Sequence, residues 1–302
     1  FVIYLFYKKY YLVYLQDEKV IFSKKLFKTT FNYAIIVFIW SQAATILWQI
    51  DMQMIIYFLD TTQAWYYTNY LSIIWIPFMI VWPILGFLFP VFSELHWKNE
   101  IDKIKLAKKI LQKTFIAIAI AFNILFFIFA KNIAFILFWQ KFIKSGEILQ
   151  YSILFLVFNF LLQINFSILA WIWQVKQRMY IVLTAIVFNW ILNIILINII
   201  WVFWAALATW IWWILIWGLS EYTLWKKYYN PFDIIFILKN IVILWVVWSI
   251  FYKFWLPLFN DLWRLNSLWL LIIFWIIWTL VFIGINFDIF KWFIQQVKKL
   301  KK

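Results

Sequence analysis

The sequence predicts an all-α membrane protein, a polytopic bundle of about eight transmembrane helices. Of the 302 residues, 68% are hydrophobic and the mean hydropathy is +0.91. A water-soluble globule of that composition would have too little polar surface to cover itself. Apolar runs of about 20 residues recur along the whole chain without period-two alternation, which in a bilayer selects helices over a β-barrel.

The elements follow from these runs in chain order. Residues 1–15 read as the tail of a truncated helix, and residues 16–30, QDEKVIFSKKLFKTT, as a short basic amphipathic linker at the membrane surface. Eight spans are then expected, over residues 31–58, 66–92, 107–130, 147–170, 179–198, 203–224, 238–256 and 267–287. The predicted domains are accordingly the linker region (1–30), a six-helix lobe (31–225), and two additional helices with a basic tail (226–302).

The placement of charge predicts the orientation. The chain has 27 Lys and Arg against 12 Asp and Glu, a net charge of +15. All of the cations except Lys131, Lys141, Lys144, Lys253 and Arg264 fall on one side of the predicted spans. The positive-inside rule makes that side cytoplasmic, so a multi-pass protein of the inner (cytoplasmic) membrane with both ends in the cytoplasm is expected. Because topology explains the charge, membrane lipids are expected partners and nucleic acid is not.

Tryptophan and glycine occur in unusual proportions. The chain has 25 Trp and 4 Gly, whereas Gly makes up about 7% of an average protein. Several tryptophans lie away from the membrane interfaces that Trp prefers: Trp213 and Trp217 fall inside a span, for example. Others fall in predicted turns, namely Trp171, Trp173, Trp201 and Trp204. Our hypothesis is that most of these codons are UGA, read as glycine by the source organism; the alternative is a truly Trp-rich protein.

Three stretches carry a resemblance to a known family. They are QIDMQMIIYFLDTTQAWYYTNY (49–70), LFPVFSEL (88–95) before a Lys-rich segment, and the region containing AWIWQVKQRM, NWILNIILI and WVFWAALAT (170–209). The last matches only if its turn tryptophans stand for glycine. In this order the stretches resemble the C-terminal part of a polysaccharide-biosynthesis flippase of the Wzx type, in the multidrug/oligosaccharidyl-lipid/polysaccharide exporter superfamily. The resemblance covers about residues 16–225.

The resemblance implies a function and a missing partner. Members of this family have twelve or fourteen helices in two pseudo-symmetric lobes and move a lipid-linked oligosaccharide by alternating access. The missing N-terminal lobe is therefore an expected partner. A MATE-like cation-coupled drug antiporter is an alternative, and a membrane-embedded lipid-sugar transferase is another. The sequence has no Cys, one His and no paired carboxylates or metal cluster, so neither an enzyme nor a cofactor is expected.

Polar residues inside spans mark the candidate substrate site, because they are costly in lipid and face the bundle interior or a cavity. On the first full span the three glutamines lie within about 40° of one another. Two further polar sets lie on the fourth and fifth spans. The candidates for binding a hydroxyl-rich sugar head are Gln42, Gln49, Gln53, Ser152, Asn159, Gln163, Asn189 and Asn193. The alternative for each is hydrogen bonding between helices.

Three charged residues are further candidates. Asp51 is the only acidic residue well inside a predicted span, and it points away from the glutamines. It is a candidate for ion coupling, although a solvated or structurally paired acid would give the same pattern. Lys176 and Arg178 lie at the predicted cytoplasmic mouth, where cations could attract the pyrophosphate of a lipid-linked sugar. Positive-inside topology alone also explains them.

Overall fold

The computed structural model describes residues 23–172, 174–197, 202–228 and 232–254, together with isolated positions between 268 and 295. Every regular element in these segments is helical, which confirms the all-α prediction. The predicted span 267–287 falls mainly outside the described residues, as do Trp173 and Trp201. The helices are α1 (Lys24–Phe58), α2 (Thr61–Ile74), α3 (Phe78–Trp97), α4 (Ile101–Phe138), α5 (Ile143–Ser152), α6 (Leu156–Trp171), α7 (Val175–Ile197), α8 (Val202–Tyr228) and α9 (Ile234–Phe254).

The first two predicted spans have different boundaries in the structure. Helix α1 begins at Lys24 because Ser23 caps it, its Oγ accepting a hydrogen bond from Leu26 N at 3.3 Å. Residues 24–30 of the predicted linker are therefore helical. The span predicted over 66–92 is two helices, α2 and α3, separated by a turn at residues 75–77. Pro77 explains the break, since proline lacks an amide hydrogen and disfavours helical geometry in the preceding residue.

Helices α4 and α5 form a close antiparallel pair. Helix α4 has 38 residues and departs from helical geometry at Phe129. A 3₁₀ turn over residues 140–142 leads into α5, and a second over 153–155 leads from α5 into α6. Gly146 lies where α5 crosses α4: a Cβ there would be 2.6 Å from the carbonyl oxygen of Ala130. Only glycine fits this close approach.

The exposed face of α7 is apolar along its middle, as contact with a membrane requires. On α7, Val187, Ile191 and Ile195 are exposed while Asn189 and Asn193 are fully buried, the reverse of a helix on a soluble protein. Four described helical segments are long and apolar enough to cross a membrane: Phe78–Trp97, Ile101–Phe138, Gln140–Trp171 and Val175–Ile197. The chain is a polytopic helical membrane protein.

The packing brings helices that are distant in sequence together. Helix α1 packs against α2 and α7, α7 packs against α8, and α8 packs against α6. Helix α4 packs against α5, α6 and α9. As a result the middle of α1 lies beside α7 and α8, which follow it by more than 100 residues.

Candidate functional site

A buried carboxylate lies where α1, α2, α7 and α8 meet. Asp51 Oδ2 accepts hydrogen bonds from Tyr67 Oη and Thr209 Oγ1, each at 2.6 Å. Asp51 Oδ1 accepts one from Asn193 Nδ2, also at 2.6 Å. Asn193 Nδ2 in addition donates to Asn189 Oδ1 at 3.0 Å. We call these five residues the Asp51 cluster; each is at most 3% exposed.

The Asp51 cluster holds an acid without a fixed countercharge. Among the residues that the structure describes, no Lys or Arg nitrogen lies within 4.0 Å of Asp51. A carboxylate removed from water costs several kcal/mol unless it is paired and hydrogen bonded, of order 20 in the idealised limit. Neutral hydroxyl and amide donors offset only part of that cost. A proton or a bound cation would neutralise the site.

The atoms around Asp51 are suited to a hard cation. Carboxylate, hydroxyl and amide oxygens are the ligands that such ions prefer, and here they come from Asp51, Thr209, Asn189 and Asn193. Asn193 Oδ1 makes no hydrogen bond to any described residue. Over the described part of the chain there is no group of three His, Cys, Asp or Glu side chains of the kind that binds transition metals.

Two further aromatic residues, Tyr70 and Trp210, lie next to Tyr67 of the cluster. The rings of Tyr67 and Tyr70 lie 5.4 Å apart, centroid to centroid. Trp210 Nε1 donates a hydrogen bond to Tyr70 Oη at 3.3 Å, and both side chains are buried. Asp51 itself is 3% exposed.

The three predicted polar sets do not share one cavity within the lobe. Gln42, Gln49 and Gln53 are exposed, on the face of α1 opposite Asp51. Asn189 and Asn193 belong to the Asp51 cluster, where sequence reasoning had placed them among sugar-binding candidates. The described lobe therefore separates a buried acidic site from an exposed polar stripe.

Members of the third set form hydrogen bonds within their own helices. Ser152 Oγ donates to the carbonyl of Leu149 at 3.0 Å, within α5. Gln163 Nε2 donates to Asn159 Oδ1 at 3.2 Å, one turn away along α6. Ser152 and Asn159 are buried and Gln163 is partly buried.

The two cations at the start of α7 differ in position. Lys176 is exposed and lines a groove together with Tyr33, Gln174 and Gln177. Arg178 turns into the lobe instead: its guanidinium lies 4.9 Å from the centroid of the Phe166 ring, and Nη1 donates to the Phe166 carbonyl at 3.5 Å. Of the two, Lys176 is the one available to an anionic ligand.

Sequence reasoning missed a second buried charged site. Lys108 Nζ lies 2.6 Å from Glu221 Oε1, and Lys108 is completely buried. Asn165 Nδ2 donates to Glu221 Oε2 and to Ser220 Oγ, both at 2.9 Å. This network joins α4, α6 and α8. In the sequence, Lys108 is one of many lysines that the positive-inside rule explains. Its partner is 113 residues away, so no local pattern reveals the pair.

Comparisons with known proteins agree with this architecture. Residues 1–96 match the model of a family described as polysaccharide biosynthesis protein, which confirms the resemblance over that part of the chain. A solved structure titled "Lipid II flippase MurJ, inward closed conformation" has a similar fold, with a TM-score of 0.60 and 18% sequence identity. The match covers 88% of this chain and 57% of the flippase chain, so this chain spans little more than half of it. A search of curated proteins finds no match.

Proposed function

We propose that this chain is one lobe of a transporter that translocates a lipid-linked oligosaccharide across the cytoplasmic membrane by alternating access. Three findings support the proposal: the family match over residues 1–96, the flippase-like fold, and the coverage of 57% of the flippase chain. The missing N-terminal lobe would complete the transporter. The excess of Lys on one side supports an orientation with both chain ends in the cytoplasm.

The observation that carries the proposal is the Asp51 cluster. Asp51 receives hydrogen bonds from three other helices and has no described cationic partner. Binding a proton or a monovalent cation would remove the uncompensated charge and favour the packing of α1 against α2, α7 and α8. A ligand that binds one arrangement of helices better than another shifts the equilibrium between them. Asp51 is thus our candidate for coupling an ion gradient to transport.

The exposed glutamines supply a second element of the function. Polar side chains within a span face a bundle interior or a water-filled cavity, not lipid. Gln42, Gln49 and Gln53 are exposed on this lobe, so we place them towards the missing lobe, across a central cavity. Amides that both donate and accept hydrogen bonds are suited to sugar hydroxyls.

The experiment is complementation with the complete two-lobed protein in bacteria that lack their own polysaccharide flippase. Wild type should restore surface polysaccharide. Asp51→Asn should reach the membrane at normal levels yet restore little, because the carboxylate charge that the cation compensates is gone.

The matched control is Asp60→Asn. Asp60 is exposed and caps α2, its Oδ1 accepting from Gln63 N at 2.8 Å, and asparagine caps equally well. This variant should restore polysaccharide like the wild type. Failure of the wild type, together with drug efflux from the same cells, would contradict the flippase and favour a cation-coupled antiporter. Full activity of Asp51→Asn would remove Asp51 from the coupling mechanism.

A further inference from the structure

The chain leaves α4 through a backbone conformation that tryptophan does not normally adopt. Trp139 follows the last residue of α4 and has φ 71° and ψ 170°. Its amide donates a hydrogen bond to the carbonyl of Phe135 at 3.0 Å, closing the helix. The combination of positive φ with ψ near 180° is populated essentially by glycine alone, because a Cβ clashes with the neighbouring backbone.

The surrounding hairpin requires this conformation. Helix α4 ends at Phe138 and α5 begins at Ile143, so the chain reverses within four residues. Gly146 then packs directly on the backbone of α4 at Ala130 and Lys131, which fixes where α5 must lie. A positive φ just after a helix is the common way to make such a reversal, and glycine is the residue that usually supplies it.

Asn99 provides an internal comparison. It is the other described non-glycine residue with positive φ, at 57°, and it connects α3 to α4. Asparagine tolerates the left-handed region because its short side chain bonds locally. Trp139 has no such property, and with 66% of its surface exposed its burial offsets little of the strain.

Two buried indoles on α8 point to the same conclusion independently. Trp212 and Trp213 are 4% and 0% exposed, and neither Nε1 has a hydrogen-bond acceptor among the described residues. A buried indole N–H normally finds a partner. Neighbouring Trp210 does find one, Tyr70 Oη. Small residues at 212 and 213 would remove both of these unpaired donors.

We propose that position 139 is glycine in the protein as its own cell makes it, inserted at a UGA codon. Positions 212 and 213 are likewise glycines inserted at UGA codons. The α4–α5 turn is then unstrained. Residue 213 lies one helical turn after Thr209 of the Asp51 cluster.

The decisive measurement is the mass of the peptide spanning residue 139, isolated from membranes of the source organism, together with the codon at that position. The proposal expects a glycine residue and UGA. A peptide carrying tryptophan at 139 would overturn it, whatever the codon. The peptide containing residues 212 and 213 tests the second part in the same way.

A stability comparison tests the geometric reasoning on the full chain, produced from a gene that encodes Trp by UGG. Trp139→Gly should raise the thermal midpoint, with roughly a tenfold gain in the folded-to-unfolded ratio from the relieved strain. The control is Trp65→Gly. Trp65 is similarly exposed, at 60%, but lies inside α2, where glycine weakens a helix. Its midpoint should fall. Loss of stability in both variants would contradict the inference, from the backbone angles, that glycine belongs at position 139.

Discussion

At the scale of single residues, the sequence identified the acid but not its partners. Asp51 stands out because it is an isolated carboxylate within an apolar run. Its hydrogen-bond donors Tyr67, Asn193 and Thr209 are 16, 142 and 158 residues away. No local pattern relates positions so far apart, and a threonine inside an apolar helix normally bonds its own backbone. The cluster could therefore be found only from the packing of helices.

Thr209 gives a residue-scale prediction. In the complete transporter, Thr209→Val removes a donor and a possible cation ligand from Asp51 Oδ2 while preserving side-chain shape. Thr209 Oγ1 is one of the oxygens that would bind the cation, and loss of one such contact with a charged group costs about 1.5–3 kcal/mol. The cation concentration for half-maximal transport should consequently rise about 10- to 100-fold.

Thr184→Val is the matched control for Thr209. Among the described residues, Thr184 Oγ1 donates only to the carbonyl of Tyr180, within its own helix α7, at 2.9 Å. The cation dependence of transport by Thr184→Val should equal that of the wild type. An unchanged cation dependence in Thr209→Val would show that Thr209 serves helix packing alone.

At the scale of helices, hydropathy predicted the elements and missed the interruptions. Apolar runs located the helical regions, because long apolar segments must be helical in lipid, but α2 with α3 and α5 with α6 were each predicted as one span. The turn at residues 75–77 and the 3₁₀ turn at 153–155 lie inside such runs, so hydropathy does not show them. Pro77 was a visible signal for the first; residues 153–155, ILF, carry none.

The Lys108–Glu221 pair gives a prediction for how α4 and α8 are held together. Lys108→Met leaves Glu221 as a buried charge without its partner, which should lower the free energy of unfolding by about 3–5 kcal/mol. Lys108→Met combined with Glu221→Leu should lose less, because neither charge remains. Denaturant unfolding in detergent measures both.

The control for that pair is Lys98→Met. Lys98 pairs with Glu94 at 2.5 Å, but both side chains are more than half exposed, and such surface pairs contribute little. Its unfolding curve should overlay that of the wild type. A double variant as unstable as Lys108→Met alone would show that the pair itself, and not an unpaired charge, determines stability.

The start of α9 gives a pH-dependent prediction. Asp233 Oδ2 lies 2.6 Å from Lys113 Nζ, and Oδ1 accepts from Phe236 N at 3.0 Å. The hydrogen bond from Lys113, followed by that from the backbone, lowers the pKa of Asp233 in the folded protein. The contribution of Asp233 to the free energy of unfolding is therefore complete above the unfolded-state pKa of about 3.9. It is lost as the pH falls through the lower pKa of the folded state.

Wild type should thus exceed Asp233→Asn in unfolding free energy at neutral pH, and the difference should shrink in acid below about pH 4. Urea titrations of both proteins across this range measure the difference. In a Lys113→Met background, Asp233→Asn should lower the unfolding free energy at neutral pH by less than it does in the wild type. A difference that grows on acidification would contradict the assigned ion pair.

At the scale of the whole molecule, the lobe presents a polar stripe that it does not itself cover. If the proposed function holds, Gln49→Leu with Gln53→Leu should reduce oligosaccharide transport by the complete protein without impairing its insertion, because the proposed hydrogen bonds to sugar hydroxyls would be lost. Ile46→Leu changes an exposed apolar residue on the same helix and should transport normally. Normal surface polysaccharide in the double variant would show that the stripe only packs against the other lobe.

The sequence could predict such a stripe, because the glutamines repeat at helical spacing. It could not predict that the asparagines of α7 turn inward to Asp51 while the glutamines of α1 turn outward. That distinction depends on which face of each helix its neighbours cover. The two polar sets should accordingly have separable phenotypes, with Asn189→Leu altering cation dependence and the glutamine variants altering substrate transport.

The most direct test of the account is transport by the purified complete protein in proteoliposomes. A lipid-linked oligosaccharide with a labelled sugar is placed in one leaflet, and its arrival in the other is measured by access to a membrane-impermeant glycosidase under an imposed sodium or proton gradient. Translocation should depend on one of the gradients and fall to the protein-free level in Asp51→Asn. Translocation no faster than in protein-free vesicles under both gradients would contradict it.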